Sequence, residues 1–581
     1  MSTASAVTPN VVLQSFHEAL KLVAKLADRL DANLDGMSPS RIALASALAA
    51  AFGIKVASML LDCRRAVRRR GLLFVLFATA KQLPVIKGIV AKEKQKMIDE
   101  MDADMSTKLI SEGVPAKLSE LPLKGKSIAW VRTETESRQQ KDTKWSTDQS
   151  TMSGAVYVAD AKHFELLSSV YAKFAHSNPL HADAFPTVAR FEQEVVAMTA
   201  QFVGGGVGVG HNPDVCGLMT SGGTESILTA IRATRDYMRA TRNITKPELI
   251  VATSAHAAVY KAAEYFDIVL VRVGVDPVTL KMDVTAVKKA ITSNTIMIYA
   301  SAPGYPHGAM DDVFELSKIA VKTKTFLHVD ACLGGFVMPF AGEAMGEGDK
   351  SGLNQETSSS FDFRLPGVTS MSIDTHKYGL AQKGSSVVLY SSSVLRQYQY
   401  TAVMDWSGGL YISPSQAGSR SGGLIAQTWA ALMAVGREGY VKNARAILTG
   451  AKALRDGIDG IDGLEVMGDD VTMVVAWKST HKDVPIYVLN DVMTTSGWHL
   501  SVLHAPPALH YCVTPANVKS VPKLVRELHS ASEKVREMIQ SGEKNVAGGK
   551  APIYGLAGGL PDRGLIGDIL KDVQDLMLKN V

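Results

Sequence analysis

The chain has 581 residues, 46% of them hydrophobic and 20% charged, with a formal net charge of +5; this length exceeds one ordinary domain, and two or three packed units are expected. The excess of positive charge equals five clustered arginines, Arg64, Arg65, Arg68, Arg69 and Arg70, and no basic stripe with interleaved aromatics runs along the rest, which argues against nucleic acid as a partner. Four scattered cysteines, Cys63, Cys216, Cys332 and Cys512, form no CxxC pair; neither a zinc ribbon nor a disulfide framework is suggested, and a reducing compartment is expected for the functional part.

Residues 42–61, IALASALAAAFGIKVASMLL, form an apolar run broken by Lys55 and followed at once by the arginine cluster. Twenty residues can just span a bilayer, and a lysine near the basic end can snorkel outward. As a single-pass anchor the run would keep the arginines in the cytosol, with residues 1–41 in the lumen and all that follows Arg70 on the cytosolic side. The other reading is an amphipathic leader of the mitochondrial kind, opposed by Glu18, Asp28, Asp31 and Asp35. A second apolar run, 71–80, is too short to span and reads as a membrane-surface or packing helix.

The glycine-rich stretch GGGVGVGHN at 204–212 follows a helical pattern instead of a strand and does not satisfy GxGxxG, so it is read as a flexible loop. From about residue 195 onward, β-branched runs alternate with helical stretches: LIVAT at 249–253, IVLVRV at 268–273, IMIYASA at 296–302 and FLHVDA at 326–331. That alternation predicts βα units on a mostly parallel sheet, whose ligands bind at the carboxyl ends of strands. Between the runs, residues 224–238 place Ile227, Ile231 and Met238 on one helical face, and 283–291 and 313–321 repeat the habit.

Four polar features fall at the predicted strand ends. Ser221, Gly222, Gly223 and Thr224 follow the run VCGLM and precede a helix; glycines let amides approach a phosphate, and the helix start adds free donors. His256 follows LIVAT and offers a flat ring that can stack on a heteroaromatic. Asp330 ends FLHVD, where a carboxylate can pair with a pyridinium nitrogen, and Lys377 in VTSMSIDTHKYG carries the one side chain that forms a Schiff base with an aldehyde cofactor. Each alone has an ordinary structural reading, respectively a capped turn, a hydrogen-bonded histidine, a helix cap and a solvated lysine. Together, in this order, they supply the protein groups that pyridoxal 5'-phosphate requires. No GxxxxGK[ST] or HExxH is present, so nucleotide and zincin readings have no anchor.

Longer stretches carry a resemblance. FAHSNPLHADAFP at 174–186, LMTSGGTESILTAIRATRDY at 218–237, SAHAA at 254–258, HVDACLGGF at 328–336, DTHKYGLAQKGSSVVLY at 374–390 and AGSRSGG at 417–423, with SGAVY at 153–157 and IYGLAGG at 553–559, resemble the sphingosine-1-phosphate lyase family. That family lies within the group II pyridoxal-phosphate decarboxylases, and the resemblance covers roughly residues 90–575. It implies an α/β fold of PLP-dependent type I: a large mostly parallel-sheet domain, a smaller C-terminal α/β domain and an N-terminal helical or anchor segment. The corresponding division is 1–90 for the anchor region, 91–195 for a helical segment, 196–440 for the cofactor domain and 441–581 for the small domain.

By motif position the resemblance makes Lys377 the cofactor's Schiff-base lysine, His256 its stacking partner and Asp330 the pyridinium partner. Ser221, Gly222, Gly223, Thr224 and His376 would complete the cofactor's contacts. Asn178 and His181 would lie by the reacting carbons, while Tyr157, Lys383 and Tyr554 would hold the substrate's phosphate, Tyr157 reaching over from a partner subunit. The implied activity is cleavage of a phosphorylated sphingoid base into a fatty aldehyde and phosphoethanolamine, by a homodimer with shared sites on the endoplasmic reticulum membrane. His181, His256 and Lys377 all remain open as the base. Departures are small: YGLAQKG lacks a proline usual before its final lysine, Tyr305 stands where phenylalanine is frequent, and 342–360 reads as a polar surface insertion. Two rivals stand beside this reading, an amino-acid decarboxylase on the same fold and a catalytically silent membrane scaffold.

Overall fold

The computed structural model describes residues 118–346, 360–543 and 563–580, apart from positions 143, 144, 146, 159, 209 and 469, with scattered positions between 92 and 103. The run 42–61, the arginine cluster, the run 71–80 and Tyr554 lie outside the described residues. Among those described, no helix is long and apolar enough to cross a membrane. The chain divides into two units, one formed by Met1–Ala103 with Pro561–Val581 and the other by Asp104–Leu560. In the first, residues Arg563–Asn580 form a helix.

The second unit opens on a helix at Ile128–Asp142; after it come helices α1 (Ala161–Phe174) and α2 (Pro186–Phe202), then strand β1 (Cys216–Thr220) and helix α3 (Gly223–Arg242). Helix α3 stops where Asn243 takes the left-handed conformation at φ 55° and its N–H closes back onto Arg239, a frequent helix terminus. There follow β2 (Glu248–Ala252), α4 (Ala258–Tyr265), β3 (Val269–Val273), α5 (Val284–Ala290), β4 (Thr295–Ser301), α6 (Val313–Thr323), β5 (Phe326–Asp330), β6 (Val368–Ile373) and β7 (Ser386–Tyr390). The seven strands form one sheet in the order β1-β7-β6-β5-β4-β2-β3. Neighbours from β3 to β6 pair in parallel, while β7 runs antiparallel to both β6 and β1. The expected βα alternation is thus present, with a sheet that is mixed at one side.

Helices cover both faces, so the central strands are apolar along their length, as parallel sheets require. Every residue of β4 is buried. On one face Ile227, Ile231 and Met238 of α3 pack with Leu249, Val251, Met297 and Tyr299; burial of each large aliphatic stabilises by about 1.5–3 kcal/mol. On the other, Ile250, Ile298, Val329 and Met371 join the main core.

A short hairpin, β8 (Thr401–Val403) and β9 (Tyr411–Ser413), leads to the long helix α7 (Gly422–Asp459), whose course is broken at Gly436, with φ 61°. Residue 440 lies inside it. Beyond it β10 (Leu464–Met467), β11 (Val474–Ser479), β12 (Ser501–His504) and β13 (Pro507–Cys512) form an antiparallel sheet in the order β10-β11-β13-β12. Helices α8 (Ile486–Thr495) and α9 (Val521–Gln540) accompany it.

Two expected surface loops carry defined structure among the described residues. The glycine stretch is pinned by a bridge between Gly205 and Asn212 and by the His211 ring on the Gly205 carbonyl at 2.8 Å. The region 342–360 starts in a short helix, Ala341–Ala344, with Ala344 buried; residues 347–359 are outside the described set.

Candidate active site

The parallel strands end on one side of the sheet, and their ends open into a cavity of about 670 Å³. Its floor comes from β5 and from the turn after β6, one wall from the start of α3, and another from residues 152–155 with His499 and with Ser501, His510 and Cys512 of the smaller sheet. Asp330, Lys377, His376, His256, Ser221, Gly222, Gly223, Thr224 and Tyr157 all border it. Residues more than two hundred positions apart in the chain are therefore brought to one cavity.

At the floor, Asp330 is buried and hydrogen-bonded on both oxygens. The Tyr299 hydroxyl donates to Oδ2, and the Ser372 hydroxyl and the Cys332 N–H donate to Oδ1 at 3.1 and 3.0 Å. Burial alone would raise this carboxyl, but the nearby His256 and the Tyr299 and Cys332 hydrogen bonds bring it below its ordinary value. It is therefore a fixed negative charge at neutral pH. His328 braces the group from behind: its ring stacks on Tyr299 with centroids 5.4 Å apart and contacts Ser370 and Ser372. Burial lowers His328 to about 4, so it stays neutral.

Lys377 sits one turn past β6, and its Nζ lies 2.9 Å from Oδ2 of Asp374, a carboxylate the sequence reading passed over. Burial opposes the charge on Lys377, and Asp374 outweighs it, holding the amine above the usual lysine range. Reciprocally, burial would raise Asp374, yet Lys377 and His376 keep it well below the usual carboxylate range. The His376 Nδ1 accepts from the Gly384 and Ser385 amides at 3.3 and 3.1 Å. That leaves Nε2 to carry the hydrogen, 3.5 Å from Asp374.

The glycine wall depends on size. A Cβ on Gly223 would stand 2.6 Å from the Cys332 sulfur and 2.8 and 2.9 Å from the Asp374 oxygens, so no larger residue fits without a shift. Amides in the first turn of α3 have no acceptor within the helix, and those of Gly222, Gly223 and Thr224 border the cavity. Ser221 differs: its N–H and its hydroxyl both donate to Glu225, at 2.7 and 2.6 Å. A donor counted for the phosphate is thus engaged by the helix's own first-turn carboxylate.

Tyr157 corrects an expectation. It lies buried in the cavity of its own chain, edge-on to Tyr378 with centroids 5.0 Å apart, with the Lys383 ammonium 4.5 Å from its ring. The cause is local, since residues 150–157 are tied to the smaller sheet by Ser153 N–H to His499, Gly154 N–H to Cys512 and Cys512 N–H to Ser153 Oγ. Lys383 is lowered to about 8, by burial of its ammonium and by the nearby Lys377.

Asn178 and His181 do not border this cavity. The Asn178 oxygen accepts from Leu180 and Arg420 amides at 3.1 and 3.2 Å, its nitrogen donates to Ser419 at 3.0 Å, and His181 is exposed. Arg420, from AGSRSGG, locks this corner onto β1 through a two-pronged ion pair with Glu192, whose Oε1 accepts the Met219 N–H. Asp374, Tyr299 and Glu225 were missed in sequence. The available signal was spacing: Asp374 and Glu225 stand three and four residues from Lys377 and Ser221, but an aspartate before a lysine is too common to single out.

The chain's similarities agree with this geometry. A family model described as the pyridoxal-dependent decarboxylase conserved domain matches residues 143–479. The sphingosine-1-phosphate lyase of Arabidopsis thaliana is 43% identical over 498 residues, 85% of this chain and 87% of its own length. That of Oryza sativa subsp. japonica is 41% identical over 96% of this chain and 99% of its own. The solved sphingosine-1-phosphate lyase of Burkholderia pseudomallei superposes with a TM-score of 0.67 at 39% identity, over 73% of this chain and 95% of that one.

Proposed function

Since this chain belongs to the sphingosine-1-phosphate lyases, as identities of 41–43% over most of both lengths show, we propose the following assignment of its residues to that reaction. The protein is a PLP-dependent carbon–carbon lyase of sphingolipid catabolism. It cleaves sphingosine 1-phosphate or its dihydro form into a long-chain aldehyde and phosphoethanolamine. Membership sets aside the amino-acid decarboxylase, and the scaffold reading has no support in a cavity that keeps Lys377, Asp330 and His256.

The residues present fit the cofactor. Its phosphate suits the first-turn amides of Gly222, Gly223 and Thr224, where Gly223 leaves room only for a close backbone approach. Asp330, charged and braced on both oxygens, suits a pyridinium nitrogen, and exposed His256 suits the ring face. When bound, the cofactor supplies an aldehyde for the substrate amine and a ring that accepts electrons as the Cα–Cβ bond breaks. Lys377 tethers it and holds a proton at Nζ. His376 carries its hydrogen toward Asp374 and keeps that carboxylate oriented.

The substrate's phosphate is assigned to Lys383 beside Tyr157, with Tyr554 as a third group. A lysine with two tyrosine hydroxyls suits the several oxygens of a phosphate better than it suits a carboxylate. Asn178 and His181 serve the reacting carbons from a second copy, since they stand off the cavity of their own chain; the active form is then a homodimer with shared sites. The base is His181, His256 or Lys377. The run 42–61 with its arginines anchors the chain once in the endoplasmic reticulum membrane with the catalytic part cytosolic, so that a long alkyl chain stays in the bilayer while its head enters the cavity. The division at 90, 195 and 440 belongs to the same proposal.

The observation that carries the assignment is the meeting of Lys377, Asp330 and the glycine turn in one cavity with Tyr157 at its side. Borohydride reduction of the holoenzyme followed by peptide mass analysis tests it. The cofactor mass is expected on the peptide containing Lys377; its appearance on any other lysine overturns the assignment.

A further inference from the structure

We infer that Asp374 is a positioning residue for this reaction: its buried carboxylate holds the nitrogen of Lys377 in place and in charged form, and so sets the pH range over which that nitrogen serves the cofactor. The inference deepens the assignment above and rests on Lys377 carrying the cofactor.

The geometry separates two carboxylates that sequence alone would treat alike. Asp330 is committed to Tyr299, Ser372 and Cys332, whereas Asp374 makes the 2.9 Å contact with Nζ of Lys377. Asp374 directly follows the last residue of β6, and its side chain is 2% exposed, so it cannot swing away. Its Oδ2 is shared between Lys377 and the more distant His376 Nε2. Its Oδ1 is buried without a protein partner among the described residues and lies against the glycine turn.

A purely structural carboxylate there would be poorly designed, because a buried ion pair gains little stability and one oxygen is left unsatisfied. A carboxylate that must always face a positive nitrogen is explained. The other ionisable groups around Nζ do not replace it. Cys332 and Tyr157 are held neutral by burial, Lys383 repels, and Asp330 is engaged with its own donors near His256. Asp374 is therefore the group that favours positive charge on Lys377 at direct contact, and it would favour that charge on the nitrogen joined to the cofactor as well.

The test is a spectroscopic titration of the full-length holoenzyme, from about pH 6 to about pH 10, following the visible band of the protonated Lys377–cofactor linkage. Asp374→Asn is expected to keep the cofactor but lower the midpoint by about 1–3 pH units, the usual effect of removing an opposite charge at contact. Asp374→Glu, which keeps the charge, returns the midpoint toward that of the unaltered chain. Should the asparagine variant fail to fold, Asp374→Ser carries the same expectation. An unchanged midpoint in a variant that retains the band overturns the inference and leaves the assignment of Lys377 intact. A band that survives unaltered in Lys377→Ala overturns both.

Discussion

The floor and the mouth of the cavity are built by different means. Asp330, Asp374 and Lys377 rise from strand ends or the turn beside them; the two carboxylates are buried, Lys377 is a quarter exposed, and all three are held by close partners. His256, by contrast, is an exposed residue on a connection, and Lys383, exposed along its stem with its ammonium sheltered over the ring of the cavity-lining Tyr157, meets that ring face instead of a salt bridge. A buried floor gives preorganised charge that no water screens; a loop-built mouth can be matched to one substrate without disturbing it. The comparison predicts that floor substitutions damage the cofactor's chemistry, while mouth substitutions change only how well substrate is held.

The largest effect is expected from Lys377→Ala. It removes the tether and leaves Asp374 as an uncompensated buried charge. Turnover should fall on the order of 10³-fold or more, with loss of the visible cofactor band, checked by absorbance and product assay. Next comes Gly223→Ala, which adds one carbon 2.6 Å from Cys332 Sγ. Overpacking of this kind costs about 1–3 kcal/mol. A lower melting temperature with weakened cofactor retention is expected; a variant that keeps both would mean that the floor is softer than its contacts imply.

At the mouth, Lys383→Ala should raise KM for the phosphorylated base on the order of tenfold, as expected for losing one charge-assisted contact, with kcat little changed. The sign of its pH dependence follows from its lowered value. Lys383 is cationic below about 8 and neutral above it, so KM of the unaltered enzyme should climb as pH passes that value. Lys383→Arg keeps its charge throughout, and its KM should stay flat over the same interval. A kcat loss as large as that of Lys377→Ala would abolish the distinction between floor and mouth.

The floor was also the more legible part in sequence. Strand ends announce themselves by β-branched runs stopping at a polar residue, and FLHVD stops at Asp330, although the same signal at Asp374 in VTSMSID does not single that residue out beside the lysine that follows it. The helix of Ile227, Ile231 and Met238 was readable from its period, and the structure buries all three. What could not be read was contact between distant segments. That Asp374 takes Lys377, that Glu225 takes Ser221 and that residues 150–157 fold onto the smaller sheet of their own chain depend on tertiary placement. Neither period nor spacing reports it. Asn178 and His181 show the limit most clearly, since the motif that carries them says nothing of which cavity they reach.

The smallest effect tests how far the floor's rigidity is shared. Tyr299→Phe removes one donor from Asp330 and leaves the Ser372 hydroxyl and the Cys332 amide in place, so the carboxylate should remain at the strand end. The lost hydrogen bond to a charged group costs stability of about 1.5–3 kcal/mol at most. The phenylalanine ring can keep the stack on His328. Because burial pushes Asp330 up and its donors and His256 pull it down, loss of one donor moves the carboxyl upward, and its charge is lost at a higher pH as acid is added. Activity should fall only a few-fold at neutral pH, with the acid limb of the profile displaced toward neutrality, measured as kcat against pH. An unmoved acid limb would show that the Ser372 and Cys332 contacts alone fix the charge of Asp330, and that the tyrosine serves packing instead.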